Sequence, residues 1–235
     1  MNQAKLHVFI SPDEIFPAEA DMIVPYSFVK KWLMPMNAPH TLSCGSATTS
    51  VRLMASKKTS KIRSIRIRQS LAEVLGLYGS GRLNVRYSPQ HHHLQIGPML
   101  GILTNNINKH ATSDDRRFGD MTRFFTECHL AAELRGIQVF LFAPDDLNVR
   151  AKQITGWTRI KGHWKQCRFP LPNVIYNRIT SRRIEEQETL QQKLQWLQSR
   201  HRVQLFNERF LDKWQVHRTL WNDSAIRFML PYTQL

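Results

Sequence analysis

Strand and helix patterns alternate after residue 98, and this alternation limits the possible folds to a small number. The apolar run Met99–Leu103 predicts a short buried strand, and the apolar residues between positions 121 and 132 recur at helical spacing on one face. Gly136 suits a left-handed helix cap, and Ile137–Phe142 follows at once as the next strand. Because a crossover helix between two strands makes the strands parallel, the pattern predicts a three-layer, doubly wound sheet.

The same scheme recurs later in the chain. Val174–Tyr176 and Val203–Phe206 are predicted strands, and three residues between them lie on one helical face: Leu190, Leu194 and Leu197. Apolar segments on both sides of Lys161-Gly162 predict a β-hairpin. Residues from about 98 to 208 therefore form one α/β unit in this interpretation.

The first 97 residues read as two copies of a strand, helix, strand, strand unit. The first copy extends from Met22 to Leu53 and the second from Ile65 to Pro98. Alternation such as Ile65-Arg66-Ile67-Arg68 suits strands with one buried face, and an early strand at Leu6–Ile10 completes a small closed sheet. The duplication resembles a double-psi β-barrel, and an ordinary α+β domain is the alternative.

The composition indicates a globular, cytoplasmic protein. The chain has 235 residues, 42% of them hydrophobic, but no run approaches the ~20 apolar residues of a membrane span or forms a secretory signal. Cys44, Cys128 and Cys167 are widely spaced, which favours reduced thiols over disulfides or a zinc site. Adjacent histidines at His91–His93 alternate faces, so no metal site is predicted there.

The positive charge is concentrated in the first third of the chain. The net charge is +15, and residues 51–90 contain nine Lys or Arg residues but one acidic residue, Glu73. Such a field attracts anions, including nucleic acid, a nucleotide, and an anionic polymer or membrane surface, without selecting among them. The candidate anion-binding residues on this part of the chain are Arg63, Arg66, Arg68, Arg82 and Arg86.

Polar residues follow two of the predicted parallel strands, where open α/β sheets place ligands. Asp145-Asp146 follows one strand, although the pair also suits a turn or a helix cap. Asn177-Arg178 follows another, and an arginine there can hold a carboxylate or phosphate through a forked pair of hydrogen bonds. Local spacing assembles no Ser/His/Asp, Cys/His or paired-carboxylate arrangement, so no catalytic residue is predicted.

Several segments, taken in order, resemble the endospore coat-associated YheC/YheD family of ATP-grasp-like proteins. The resemblance extends over essentially the whole chain, and the order and spacing of the segments make it specific. The segments are Ile96–Thr104, Ile154–Trp157 with Trp164, Phe169–Arg178, Phe206-Asn207, Asp212–Trp214 and Leu230–Thr233. Asn177-Arg178 carries over as a family-like element without an assigned role.

The resemblance implies a division into three parts. Residues 1–97 would be the small duplicated, double-psi type barrel, and residues 98–208 a Rossmann-like pre-ATP-grasp domain. Residues 209–235 would be a helix and strand leading to an ATP-grasp domain outside this sequence. The fold class is then α/β, or α+β overall. ATP and Mg²⁺ are expected only with that further domain, so no cofactor is expected here and the chain is not expected to be active alone.

The leading hypothesis is therefore the N-terminal part of a carboxylate-amine ligase associated with the endospore coat. Within it, Arg178 would pair with a substrate carboxylate beside Asn177, and Asp145 would orient an amine. The alternatives are a basic module that binds an anionic spore polymer or nucleic acid, and a structural coat component. Nucleic acid is less favoured, because only Tyr78 and Tyr87 accompany the basic residues.

Overall fold

The computed structural model describes residues 2–56, 64–208 and 213–231. Within these ranges the chain is a mixed α+β structure dominated by two sheets. The first sheet has eight strands: β1 (Asn2–Ser11), β2 (Met22–Pro25), β3 (His40–Cys44), β4 (Ala47–Val51), β5 (Leu53–Ser56), β6 (Ser64–Arg68), β7 (Gly81–Ser88) and β8 (His93–Ile96). Its helices are α1 (Tyr26–Trp32) and α2 (Gln69–Val74).

The first sheet curls around its core in the strand order β4-β3-β8-β7-β1-β6-β2-β5. The predicted order of strand, helix, strand and strand is confirmed in the second unit as β6, α2, β7 and β8. In the first unit β2, α1 and β3 are followed by two strands, β4 and β5, where the sequence predicts a single strand over 51–53. The predicted alternation is also confirmed, because Ile65 and Ile67 are buried whereas Arg66 is exposed. The early strand β1 lies inside the sheet, parallel to β6 and antiparallel to β7.

The second sheet begins three residues after β8. Its strands are β9 (Met99–Leu103), β10 (Gln138–Phe142), β11 (Leu147–Asn148), β12 (Gln153–Ile160), β13 (His163–Pro170), β14 (Val174–Asn177) and β15 (Gln204–Phe206). The accompanying helices are α3 (Thr122–Arg135), α4 (Arg182–Glu185) and α5 (Glu188–His201). The strand order is β11-β12-β10-β9-β14-β15, with β13 paired to β12.

Helices cover both faces of the second sheet. The α3 side buries Ile102, Val139 and Leu141, whereas the leucines of α5 belong to the other core together with Phe140 and Ile175. The predicted succession β9, α3, β10 is confirmed, and these two strands are parallel. The predicted hairpin is also confirmed as β12 and β13, and it extends the sheet antiparallel to β10.

The two sheets share one of the hydrophobic cores. Met99 and Phe140 of the second sheet belong to the same buried cluster as Leu42 and Val85 of the first. This continuity holds the sheets in one arrangement, because separating them would expose apolar side chains from both.

The described C-terminal part begins with helix α6 (Lys213–Trp221). On this helix the ring of His217 stacks between those of Trp214 and Trp221, with centroids 5.6 and 5.5 Å apart. The predicted short helix is thus confirmed from Lys213 onwards. The predicted strand after it lies partly outside the described residues, although Leu230 has an extended backbone.

Candidate functional site

The carboxyl ends of four parallel strands meet at one edge of the second sheet. The registers pair Leu103 at the end of β9 with Phe142 of β10 and with Asn177 of β14, and Phe206 of β15 lies beyond β14. The loops that follow these strands bring their polar residues to this same edge. Open α/β sheets bind ligands at such an edge.

The connections that follow β9 and β14, which are parallel neighbours in the sheet, lead to opposite faces. The connection after β9 leads to α3 on one face, whereas the connection after β14 leads to α5 on the opposite face. Connections that diverge from adjacent strands leave a crevice between the loops, called a topological switch point. Asn177 and Arg178 lie at this point.

Hydrogen bonds fix the two loops of the crevice. The backbone N–H of Arg178 donates to the carbonyl of Leu103 over 2.7 Å. The side-chain oxygen of Asn105 accepts from the backbone N–H of Thr180 over 2.7 Å and from its hydroxyl over 3.2 Å. These bonds hold the loops that follow β9 and β14 in one arrangement.

Asn177 stabilises the local structure at the switch point through hydrogen bonds. The side chain is 1% exposed, donates to Glu185 Oε1 over 2.7 Å and accepts from the Ile179 N–H over 3.1 Å. Its own carbonyl accepts from Asn207 Nδ2 over 2.9 Å. These bonds join the ends of β14 and β15 to α4, and they engage both ends of the side-chain amide.

Arg178 is different, because its guanidinium has no hydrogen-bond or ion-pair partner in the part of the chain that the structure describes. The group lies over the ring of Phe124, 5.2 Å from the centroid, and its Nε is fully buried and unpaired. The residue is partly exposed. Burial raises the pKa of the nearby Cys128 thiol, which Glu127 raises further and Arg178 opposes.

Of the two aspartates after β10, Asp146 is the one that is bonded to other parts of the protein. Asp145 is exposed in a 3-10 turn over Pro144–Asp146, which confirms the turn interpretation. The Asp146 carboxylate accepts from the Ala143 N–H over 3.0 Å and forms an ion pair with Lys109 over 2.5 Å. Lys109 belongs to the loop after β9, so its contribution was not visible in the local sequence.

Arg117 is a further residue that the sequence analysis missed. It is only 9% exposed, lies 4.1 Å above the Trp157 ring centroid and donates to the carbonyls of Asn108 and Lys109. Its Nε is buried without a partner. The side chain holds the long loop after β9 against the sheet, and no local motif marks it.

The basic candidates of the first sheet divide into two groups, apart from Arg63, which lies outside the described residues. Arg66, Arg82 and Arg86 are exposed and project from the outer face, without an ion pair in the described ranges. Arg68 instead donates to the carbonyls of Ala20, Asp13 and Pro17, so its guanidinium is engaged by the protein itself.

Among the described residues, no three His, Cys, Asp or Glu side chains are grouped in a way that suits a metal ion. Nor does any helix within those ranges have the length and apolar character needed to cross a membrane.

The sequence is 32% identical over 144 residues to the endospore coat-associated protein YheD of Bacillus subtilis (strain 168). The matched region covers 61% of this chain and 31% of that protein, so the chain spans about a third of the length of the curated relative. No family model matches the chain, and no solved structure matches it.

Proposed function

We propose that this chain, which belongs to the YheC/YheD family, binds the acid substrate of an ATP-grasp carboxylate-amine ligase at the carboxyl edge of its second sheet. In this proposal the first sheet is a double-psi type barrel and the second a Rossmann-like pre-ATP-grasp domain. The observation that carries the proposal is the unpaired guanidinium of Arg178 at the switch point.

A cation with a buried, unpaired N–H group is unfavourable unless something else supplies the acceptor. Arg178 is held in place by its backbone bond to Leu103 and by the ring of Phe124 beneath its guanidinium. A carboxylate can accept two parallel hydrogen bonds from a guanidinium, a geometry that a lysine cannot provide. The acid substrate would therefore complete the pairing that the protein leaves open.

In this proposal ATP and Mg²⁺ belong to the ATP-grasp part of the ligase and not to the edge that carries Arg178. Magnesium bound with a nucleotide is held by carboxylate and amide oxygens together with the phosphates. We therefore propose no step through ATP or Mg²⁺ at this edge. The role proposed for this chain is to bind and orient the acid, with Asp145 exposed on the neighbouring loop for an amine.

Calorimetric titration of the 235-residue chain with dicarboxylates and amino acids tests the proposal. Arg178→Ala should weaken the binding of a responding acid at least about tenfold, the loss of one charge-assisted interaction. Arg178→Lys should restore part of it. Arg123→Ala is the matched control, because Arg123 is exposed on α3 beside Phe124 and pairs with Glu127. Equal affinities for the native chain and Arg178→Ala would refute the proposal.

The relative is named as endospore coat-associated, and we extend that location to this chain as a proposal. A fluorescent fusion followed through sporulation tests it. Fluorescence at the developing coat supports the location, whereas fluorescence that stays dispersed in the mother cell contradicts it.

A second candidate function is binding of an anionic polymer to the outer face of the first sheet. Strands β1 to β8 contain no Asp or Glu. Phe9 pairs in register with Arg66 and His7 with Arg82, and the rings of His7 and Phe9 stack 4.1 Å apart. Cations beside aromatic rings suit a polyanion such as nucleic acid or an acidic spore polymer.

A further inference from the structure

A cleft of about 480 Å³ lies where the first sheet meets the second, away from the switch point. One wall is the segment Gly79–Leu83 at the start of β7, and the opposite wall is the turn between β12 and β13. The outer surface of α3 and the first residues of β10 complete it. Because the cleft opens at the amino end of β10, it is separate from the edge that carries Arg178. Its volume is within the range of small-molecule sites.

Hydrogen bonds on both sides of the cleft fix its walls. At one side, the Tyr78 hydroxyl donates to the Arg168 carbonyl over 2.6 Å, which ties the first sheet to β13. At the other side, Asn84 Nδ2 donates to the Arg135 carbonyl over 2.8 Å, which ties β7 to the end of α3. The segment between Tyr78 and Asn84 is therefore held at both ends, and the cleft beside it is already open without a ligand.

The charged residues of the cleft are mainly positive. Arg82 and Lys161 face it without any ion pair in the described ranges. Arg159 is held there by two bonds to the Gly162 carbonyl, from Nε over 3.2 Å and from Nη2 over 2.7 Å. Glu133 is the one acidic residue among those that line the cleft. The balance of charge favours an anion.

His129, on the α3 side of the cleft, contributes a neutral imidazole. Its Nε2 accepts the Arg159 backbone N–H over 3.3 Å, which places the ring proton on Nδ1. Nδ1 is buried and has no acceptor. Burial lowers the pKa of His129 to about 4, and the charge of Arg159 adds to this effect. The remaining lining is largely apolar and includes Leu83, Ile137 and Ile160.

We propose that this cleft binds a small organic anion whose acidic group is held by Arg82, Arg159 and Lys161 and whose apolar body packs against Ile137 and Ile160. Carboxylates and phosphate monoesters share this chemistry. The site is independent of the proposed acid site, because the two lie at opposite ends of β10.

Titration of the ¹⁵N-labelled full chain with benzoate, phenyl phosphate, inorganic phosphate and uncharged benzyl alcohol tests the proposal. We expect the two aromatic anions to cause saturable amide shifts at Gly79–Leu83 and Arg159–Gly162. Comparison of benzoate with phenyl phosphate distinguishes the two acidic groups. Inorganic phosphate and benzyl alcohol should bind more weakly, because each lacks half of the proposed contacts. No shift at these amides with millimolar aromatic anion would overturn the proposal.

Arg82→Ala and Lys161→Asn should each weaken the aromatic anion about five- to tenfold. Lys161 has a φ of 51°, in the left-handed region, and asparagine tolerates that conformation while removing the charge. Arg86→Ala is the matched control, because Arg86 is exposed on the same strand but does not line the cleft. Equal weakening by Arg86→Ala would mean a diffuse charge effect and overturn the site. Arg178→Ala should leave these shifts unchanged, which separates this test from that of the acid site.

Discussion

Asn84 donates its backbone N–H to the carbonyl of Gly136 over 2.9 Å, so the cap of α3 in the second sheet is bonded to β7 of the first. Gly136 has a φ of 72°, and a Cβ there would lie 2.9 Å from the Asn84 nitrogen. The glycine is therefore required twice, once for the left-handed cap and once for the approach of the two sheets.

Gly136→Ala should lower the free energy of unfolding by about 2 kcal/mol, since it combines a left-handed alanine with a contact to backbone. Urea unfolding followed by circular dichroism measures the change. Gly81→Ala is the control, because no atom lies within 4 Å of its Cβ position and its φ is not in the left-handed region. Similar losses for the two variants would contradict the role given to Gly136.

Protonation of His129 should destabilise the fold in mild acid. Its pKa is about 4 in the folded chain, because of burial and then the charge of Arg159, against 6.5 for a free histidine. The unfolded chain thus binds the proton more readily. The stabilisation from the neutral ring is complete above pH 6.5 and is lost as the pH falls towards 4, by up to about 3 kcal/mol.

Urea midpoints from about pH 7 to about pH 4.5 measure this loss, and His129→Gln should flatten the dependence. His40 and His93 also have pKa values lowered by burial, so some dependence will persist in the variant. His110→Gln, at an exposed position, should retain the full dependence. An unchanged pH profile in His129→Gln would contradict the prediction.

Adjacent residues at the switch point should respond in opposite ways. Arg178→Met should leave stability unchanged or raise it by about 1 kcal/mol, because it removes a cation whose Nε is buried and unpaired. Asn177→Ala should lower it by about 2 kcal/mol, because Glu185 Oε1 and the Ile179 N–H each lose one buried hydrogen bond. Thermal unfolding of both variants measures the contrast. A large loss in Arg178→Met would mean that the arginine is structural.

The two aspartates after β10 should also differ. Asp146→Ala should cost about 1–2 kcal/mol of unfolding free energy, because the Ala143 N–H and Lys109 lose their acceptor. Lys109→Ala should cost less than about 1 kcal/mol, since that side chain is half exposed. Asp145→Ala is the control and should unfold like the native chain, as its side chain is exposed. Equal losses of unfolding free energy at positions 145 and 146 would contradict the structural role given to Asp146.

Binding of a polyanion to the first sheet should be steeply dependent on salt. Retention on heparin should fall with ionic strength, because phosphate or sulfate contacts release counterions. The double variant Arg66→Ala, Arg86→Ala should elute at lower salt than the native chain. Arg68→Ala is unsuitable as a control, because its guanidinium bonds to the backbone of the fold. Arg200→Ala serves instead, because Arg200 is exposed in the last turn of α5, outside the first sheet. If the double variant eluted at the same salt concentration as Arg200→Ala, the outer face of the first sheet would be excluded as the polyanion-binding surface.

Elements with local causes could be predicted from the sequence. Helical spacing and Gly136 predicted α3, alternation over Ile65–Arg68 predicted the exposed and buried faces of β6, and Lys161-Gly162 predicted the hairpin turn. These predictions succeeded because each depends on residues within a few positions of one another. The position of Arg178 after a strand was visible in the same way.

The choice of neighbouring strands, in contrast, depends on contacts between residues that are far apart in the chain. The placement of β14 beside β9 brings Asn105 to Thr180 and leaves the Arg178 guanidinium unpaired. Packing of the two sheets likewise joins Asn84 to Gly136 and creates the cleft between Arg82 and Lys161. Partners so far apart in sequence are selected by the burial of a shared core, and no local pattern of residues encodes that choice.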